Sequence, residues 1–150
     1  MNAGDFESSD SILESTWIDE LHKKFTAFYE TIEQSRDKIL SLEENWDGEG
    51  AKGYLQETWE RAAEFAKKVS YFLWKQTQKL IATPMILPGP DGSIDVHWKS
   101  SKFDLLVNLP EDVAEPATFS GDDYAQNVIK GTFEIDKMSQ GLLYWLMDFL

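Results

Sequence analysis

Apolar positions in the first half of the chain recur at helical spacing. Ile18, Leu21, Phe25, Phe28 and Ile32 follow steps of three and four, and Ile39, Leu42 and Trp46 resume the register after Ser35. Such a stripe predicts a helix of about 30 residues with one buried face. Ser11-Ile12-Leu13-Glu14 fits a capping box at its start, where the Ser and Glu side chains would satisfy free N–H groups. Residues 1–9 are small and polar and read as a flexible tail. The segment Asn45-Trp46-Asp47-Gly48-Glu49-Gly50 breaks the pattern, with Trp46 expected to plug the core. A second stripe, Leu55, Trp59, Ala62, Ala66, Val69, Leu73 and Leu80, predicts a helix from about Leu55 to Lys79. Facing stripes joined by a short loop predict a long antiparallel helical hairpin over 11–80.

After Thr83-Pro84 the period falls from 3.6 to 2. Met85-Ile86-Leu87, bounded by prolines, reads as an edge strand, and Pro88-Gly89-Pro90-Asp91-Gly92 as a turn. Ile94, Val96 and Trp98 alternate with Asp95 and His97; Phe103, Leu105, Val107 and Leu109 alternate with Asp104, Leu106 and Asn108. Joined by Lys99-Ser100-Ser101-Lys102, they predict a β-hairpin with one apolar and one mostly polar face. Ala117–Ser120 and Val128–Ile135, interrupted at Gly131, read as further strands, and Ser139 as the N-cap of a closing helix over 139–150. The expectation is one α+β domain, 10–150: the helical hairpin (11–80) and a short C-terminal helix packed on a small antiparallel sheet within 84–136.

Charge sharpens this picture. The 150 residues carry 27 acids and 14 bases, a net charge of −13. Residues 1–60 are net −10, 61–90 net +4 and 91–136 net −7. An excess of carboxylates works against direct binding to nucleic acid, which relies on Lys and Arg to release counterions, and against anionic membranes. No apolar run approaches the roughly 18 residues that span a bilayer. Met1–Glu7 lacks the basic and apolar regions of a signal peptide, so a cytoplasmic location is expected. With no Cys and two His, thiolate chemistry and Cys- or His-rich metal sites cannot be built, and no cofactor is expected.

Candidate chemistry is sparse. Asn45, Asp47, Glu49 and Gly50 match positions one, three, five and six of a calcium loop. Gln56 stands where a bidentate Glu is needed, and Lys52 where an apolar residue belongs. These departures remove most of the affinity, so no metal is expected; Asp47 and Glu49 are the carboxylates that would serve one. On the polar face of the hairpin, Asp95, His97, Asp104 and Asn108 are the first candidates for a ligand pocket between sheet and helices. No nucleophile elbow, phosphate loop, dinucleotide fingerprint or zinc-protease motif occurs, and no catalytic residue is assigned. Six Trp exceed what a small core buries easily, so one or two are expected on an exposed patch, where Trp anchors protein interfaces.

Two stretches, Asn45-Trp46-Asp47-Gly48-Glu49-Gly50-Ala51 and Pro90-Asp91-Gly92-Ser93-Ile94-Asp95-Val96-His97-Trp98, resemble a widespread group of uncharacterised bacterial and phage proteins. Members carry an N-W-D-x-x-G-A loop and a P-D-G-x-I-x-x-x-W strand. The resemblance spans roughly residues 40–110 and implies fold, not activity. The long N-terminal helix and the helical C-terminus depart from the group's shorter form.

The leading functional expectation is a non-enzymatic acidic protein-binding module of inhibitor, antitoxin or immunity type, carried by a bacterium or mobile element. Its partner would be a basic protein, including one that itself binds nucleic acid. The alternatives are a small enzyme or ligand-binding domain with a pocket between sheet and helical hairpin, and a homodimer through the long helices.

Overall fold

The strands build one five-stranded antiparallel sheet in the order β1-β2-β3-β4-β5, each hydrogen-bonded to its neighbour in sequence. They are β1 (Met85–Pro88), β2 (Ile94–Lys99), β3 (Asp104–Leu109), β4 (Ala117–Asp122) and β5 (Val128–Phe133). Among the described residues, two helices precede the sheet, α1 (Asp10–Leu40) and α2 (Gln56–Thr77), and α3 (Gln140–Met147) follows it. The architecture is α+β. This computed structural model describes residues 10–150, with side chains from residue 22. The tail expected at 1–9, the Ser11–Glu14 capping box and the stripe residues Ile18 and Leu21 therefore lie outside the described residues or side chains.

The core forms where the two periodicities meet. Phe28, Ile32 and Ile39 of α1 are buried, as are Trp59, Ala62, Phe65, Ala66, Val69 and Leu73 of α2. Small side chains at Ala62, Ala63 and Ala66 let α2 settle closely on its neighbours. Contacts between the helices run in opposite directions: Phe25 meets Trp74 edge to face, Lys67 pairs with Glu33 at 3.1 Å, and Trp59 Nε1 donates to Ser35 Oγ at 2.9 Å. From the sheet come Ile94, Val96, Trp98, Leu105, Val107 and Leu109, all essentially inaccessible. Phe65 bridges the layers, touching both Trp98 and Phe133. Helix α3 is capped by Ser139, whose Oγ accepts from Leu142 N–H. It buries Leu142, Leu143 and Leu146, and Phe149 beyond it stacks on Phe103 at 4.9 Å.

Several local expectations change. α1 ends at Leu40, short of the region where Leu42 and Trp46 would extend its stripe. Trp46 does not plug the core: it is 41% exposed, with its indole N–H given to the Lys52 carbonyl. The reason is the loop's own hydrogen bonding, described below, which turns the chain outward. Leu55 is 47% exposed because it is the extended N-cap of α2, not part of its first turn. Leu80 lies beyond the end of α2, which closes at Gln78 with φ 59°. Gly131 does not interrupt β5; the ladder with β4 is continuous, and the Phe119 ring covers the site where a side chain would stand.

Candidate functional site

Strand alternation sends Asp95, His97, Asp104 and Asn108 to the face of the sheet away from the helices. They do not line a space between sheet and helices, because the residues of the opposite parity fill it. The four form two separate pairs. Asp95 and Asn108 are direct cross-strand partners, and Asn108 Nδ2 donates to Asp95 Oδ1 and to Ser93 Oγ, both at 2.8 Å. His97 Nε2 lies 2.6 Å from Asp104 Oδ1, a diagonal contact on the same two strands. Met85 and Leu106 flank His97 in the register on either side, and both are substantially exposed, as is Leu87 beside Asp95. This open face is thus a mixed surface, with polar side chains paired to one another and an apolar fringe around the imidazole.

The Gly-rich loop after α1 is stitched from within. Asn45, at φ 62°, accepts Gly50 N–H on its Oδ1 at 2.7 Å. Asp47 Oδ1 accepts Glu49 N–H at 2.9 Å and Ala51 N–H at 3.1 Å. Those two bonds favour the ionised carboxylate and hold the Asp47 pKa below its ordinary value. Asp47 is therefore occupied with folding the loop back on itself. Among the described residues, no three or more His, Asp or Glu side chains gather as a metal-binding group around Asp47, Glu49 or elsewhere.

The loop docks on the second motif. Tyr54 OH donates to the Gly89 carbonyl at 2.7 Å, and Lys52 Nζ lies 3.0 Å from Glu111 Oε2. Burial of the Tyr54 phenol pushes its pKa up. A side chain at Gly92, where φ is 77°, would collide with the Glu111 carboxylate. Arg61 reaches from α2 to the carbonyls of Pro110 at 3.2 Å and Glu111 at 3.0 Å. An open cleft of about 640 Å³ lies between these loops, lined in part by Lys52, Pro90, Asp91, Asn108, Glu111 and Asp112.

The register also fixes where charge collects. Pro88, Ile94, Leu109, Ala117 and Phe133 mark one end of the sheet, to which the 41–55 loop is tied. Segments 41–55, 89–93, 110–116 and 134–137 at that end hold ten carboxylates against two lysines. Both lysines are committed, Lys52 to Glu111 and Lys137 to Glu134. At the opposite end, segments 78–84, 99–104 and 122–127 hold three lysines and three aspartates. The protein is electrically lopsided along its strands. Sequence reasoning found the acidity and the open-face residues but missed this end, because the four segments are distant in sequence and only strand pairing gathers them.

Among the described residues, no helix is long and apolar enough to cross a membrane. No protein-family model, curated protein or solved structure matches this chain.

Proposed function

We propose that the protein is a non-enzymatic module that binds a basic protein through its acidic end, in the manner of an inhibitor, antitoxin or immunity protein. The observation that supports this most directly is the ten-to-two excess of carboxylates over lysines in the four segments at one end of the sheet. Clustered like charge destabilises a folded chain through self-repulsion, and a basic surface placed against it relieves that cost. The same field steers a cationic partner toward the end during encounter. A partner that itself binds nucleic acid presents the required spacing of Lys and Arg. A cytoplasmic location belongs to this proposal and rests on composition.

Two structural readings go with it. We take α1 and α2 to form an antiparallel hairpin over the whole of 11–80, a reading supported by the opposed contacts between Phe25–Arg36 and Trp59–Trp74. We also place the chain with the group that shares its two Gly-Trp motifs. The support is that Tyr54 ties the first motif's loop to Gly89, the residue just before the second motif, and Lys52 ties it to Glu111.

The test is capture of the tagged protein's partner from its host after nuclease treatment, followed by titration of the purified pair at rising salt. One stoichiometric basic partner is expected, with association rate and affinity both falling as salt screens the attraction. A partner whose binding is indifferent to salt would remove the electrostatic reading. Replacing Glu43, Glu44 and Glu49 by Gln, all exposed, should slow association most when combined with Asp112→Asn.

A further inference from the structure

The two edges of the sheet are built differently. β1 is short, bounded by Pro84 and Pro88, and packed against α1. β5 has six residues, no proline, an unbroken ladder with β4 and a single charge, Lys130. Among the described residues, none outside β4 hydrogen-bonds to Val128–Phe133. An unblunted edge of this kind is a template for another strand. We propose that β5 pairs antiparallel with β5 of a second copy, joining two five-stranded sheets into one of ten strands across a two-fold axis at Gly131.

Register and charge select both the occupant and the axis. Residues directly opposite in an antiparallel ladder share a face, so a two-fold that continues the sheet must pass through a residue and not between two. Centring on Lys130 sets the two lysines against each other, a destabilising pair. Centring on Ile129 or Thr132 pairs only three residues of the strand. Centring on Gly131 uses five: Gly131 faces its own copy, Lys130 faces Thr132, and Ile129 faces Phe133. The last pair lies on the helix side, where Phe133 is buried and Ile129 already packs against the core. Glycine at the axis leaves the Phe119 ring of each copy undisturbed.

Antiparallel pairing also keeps the two acidic ends apart. It sets segment 134–137 of one copy beside segment 122–127 of the other, which itself holds Asp122 and Asp123 and no lysine, while the acidic ends lie at opposite ends of the joined sheet. Self-association through β5 therefore leaves both acidic ends open, and it does not depend on the identity of any partner. What remains is a general repulsion between two chains of charge −13, which salt screens. Added salt is thus expected to strengthen this contact while weakening attraction to a basic partner.

The experiment is light scattering or sedimentation equilibrium of the full chain across concentration and salt. The mass should rise from 17.2 kDa toward twice that value with concentration, and at lower concentration in higher salt. Thr132→Lys, at an exposed position, sets Lys opposite Lys130 twice and should raise the dimer dissociation constant about tenfold. Adding Lys130→Glu converts both clashes into opposite-charge pairs and should restore association. Matching circular-dichroism melts would show that the variants fold alike. A monomer at every concentration overturns the proposal. So does a dimer that Thr132→Lys leaves intact, which would place the contact on the helices.

Discussion

The two faces of the sheet are made by the same strands and differ only in residue parity, yet they are held by different forces. On the helix side, Ile94, Val96, Trp98, Leu105, Val107 and Leu109 are sealed in the core, with α2 packed against both strands. Their stabilisation comes from removing apolar surface from water, roughly 25 cal/mol per Å². On the open side, Asp95, His97, Asp104 and Asn108 remain partly exposed and are ordered by hydrogen bonds to each other. Those bonds exchange water for protein partners and gain little net. One face carries the fold; the other is free to carry a surface.

The largest expected effect sharpens this contrast within a single hairpin. Trp98→Ala should cost about 3–5 kcal/mol in denaturant unfolding, because it empties a packed site between Phe65 and the strands. Leu106→Ala, on the neighbouring strand but on the open face, should stay within about 0.5 kcal/mol. Trp98→Phe should fall between them. It leaves part of the volume empty but also removes an indole N–H that is buried without a hydrogen-bond partner. Comparable losses at Trp98 and Leu106 would mean that the open face is covered in solution.

Next in size is Asn108→Ala, which sharpens the description of the open face as a hydrogen-bonded surface. Its amide holds Ser93 and Asp95 together, so the substitution should cost about 1–2 kcal/mol, between the core and surface values. Removing the amide also frees the Ser93 turn to move relative to β3. Hydrogen exchange should therefore speed up at the Gly89 and Ser93 amides before it changes in β4.

This contrast also explains what was legible in the sequence. Period-2 alternation from Ile94 to Leu109 is local and strong, so the faces of β2 and β3 could be read directly. The helical stripe was equally readable through Phe28, Ile32 and Ile39. It failed at Trp46, after the backbone has left α1, and at Leu55, before it enters α2, where apolar residues happen to keep the spacing. There Asn45 and Asp47 spend their side chains on loop amides, a competition between side chain and backbone that periodicity cannot register. The ladder through Gly131 was hidden for a different reason. Its support is the ring of Phe119 on the adjacent strand, twelve residues away. The acidic end was invisible for the same reason of distance, since its four segments become neighbours only through pairing.

The smallest expected effect asks whether bonds at exposed positions matter outside the sheet, in the loop that presents the acidic end. Asp47 is exposed and its folded pKa lies below the unfolded value, mainly because Glu49 and Ala51 amides bond the ionised carboxylate. A depressed carboxyl pKa contributes stability that is present above the unfolded value and is lost as pH falls through the folded one. Wild type should thus be slightly more stable than Asp47→Ala near neutral pH, with the gap closing as the solution is taken below about pH 4. Melting temperatures of the two proteins measured across that range would show it. A gap that persisted at low pH would mean that the substitution acts through the backbone conformation of the loop and not through the carboxylate. In that case the loop owes its shape to Asn45, Gly48 and Gly50, all at positive φ, and Asp47 would count among the charges free to meet a partner.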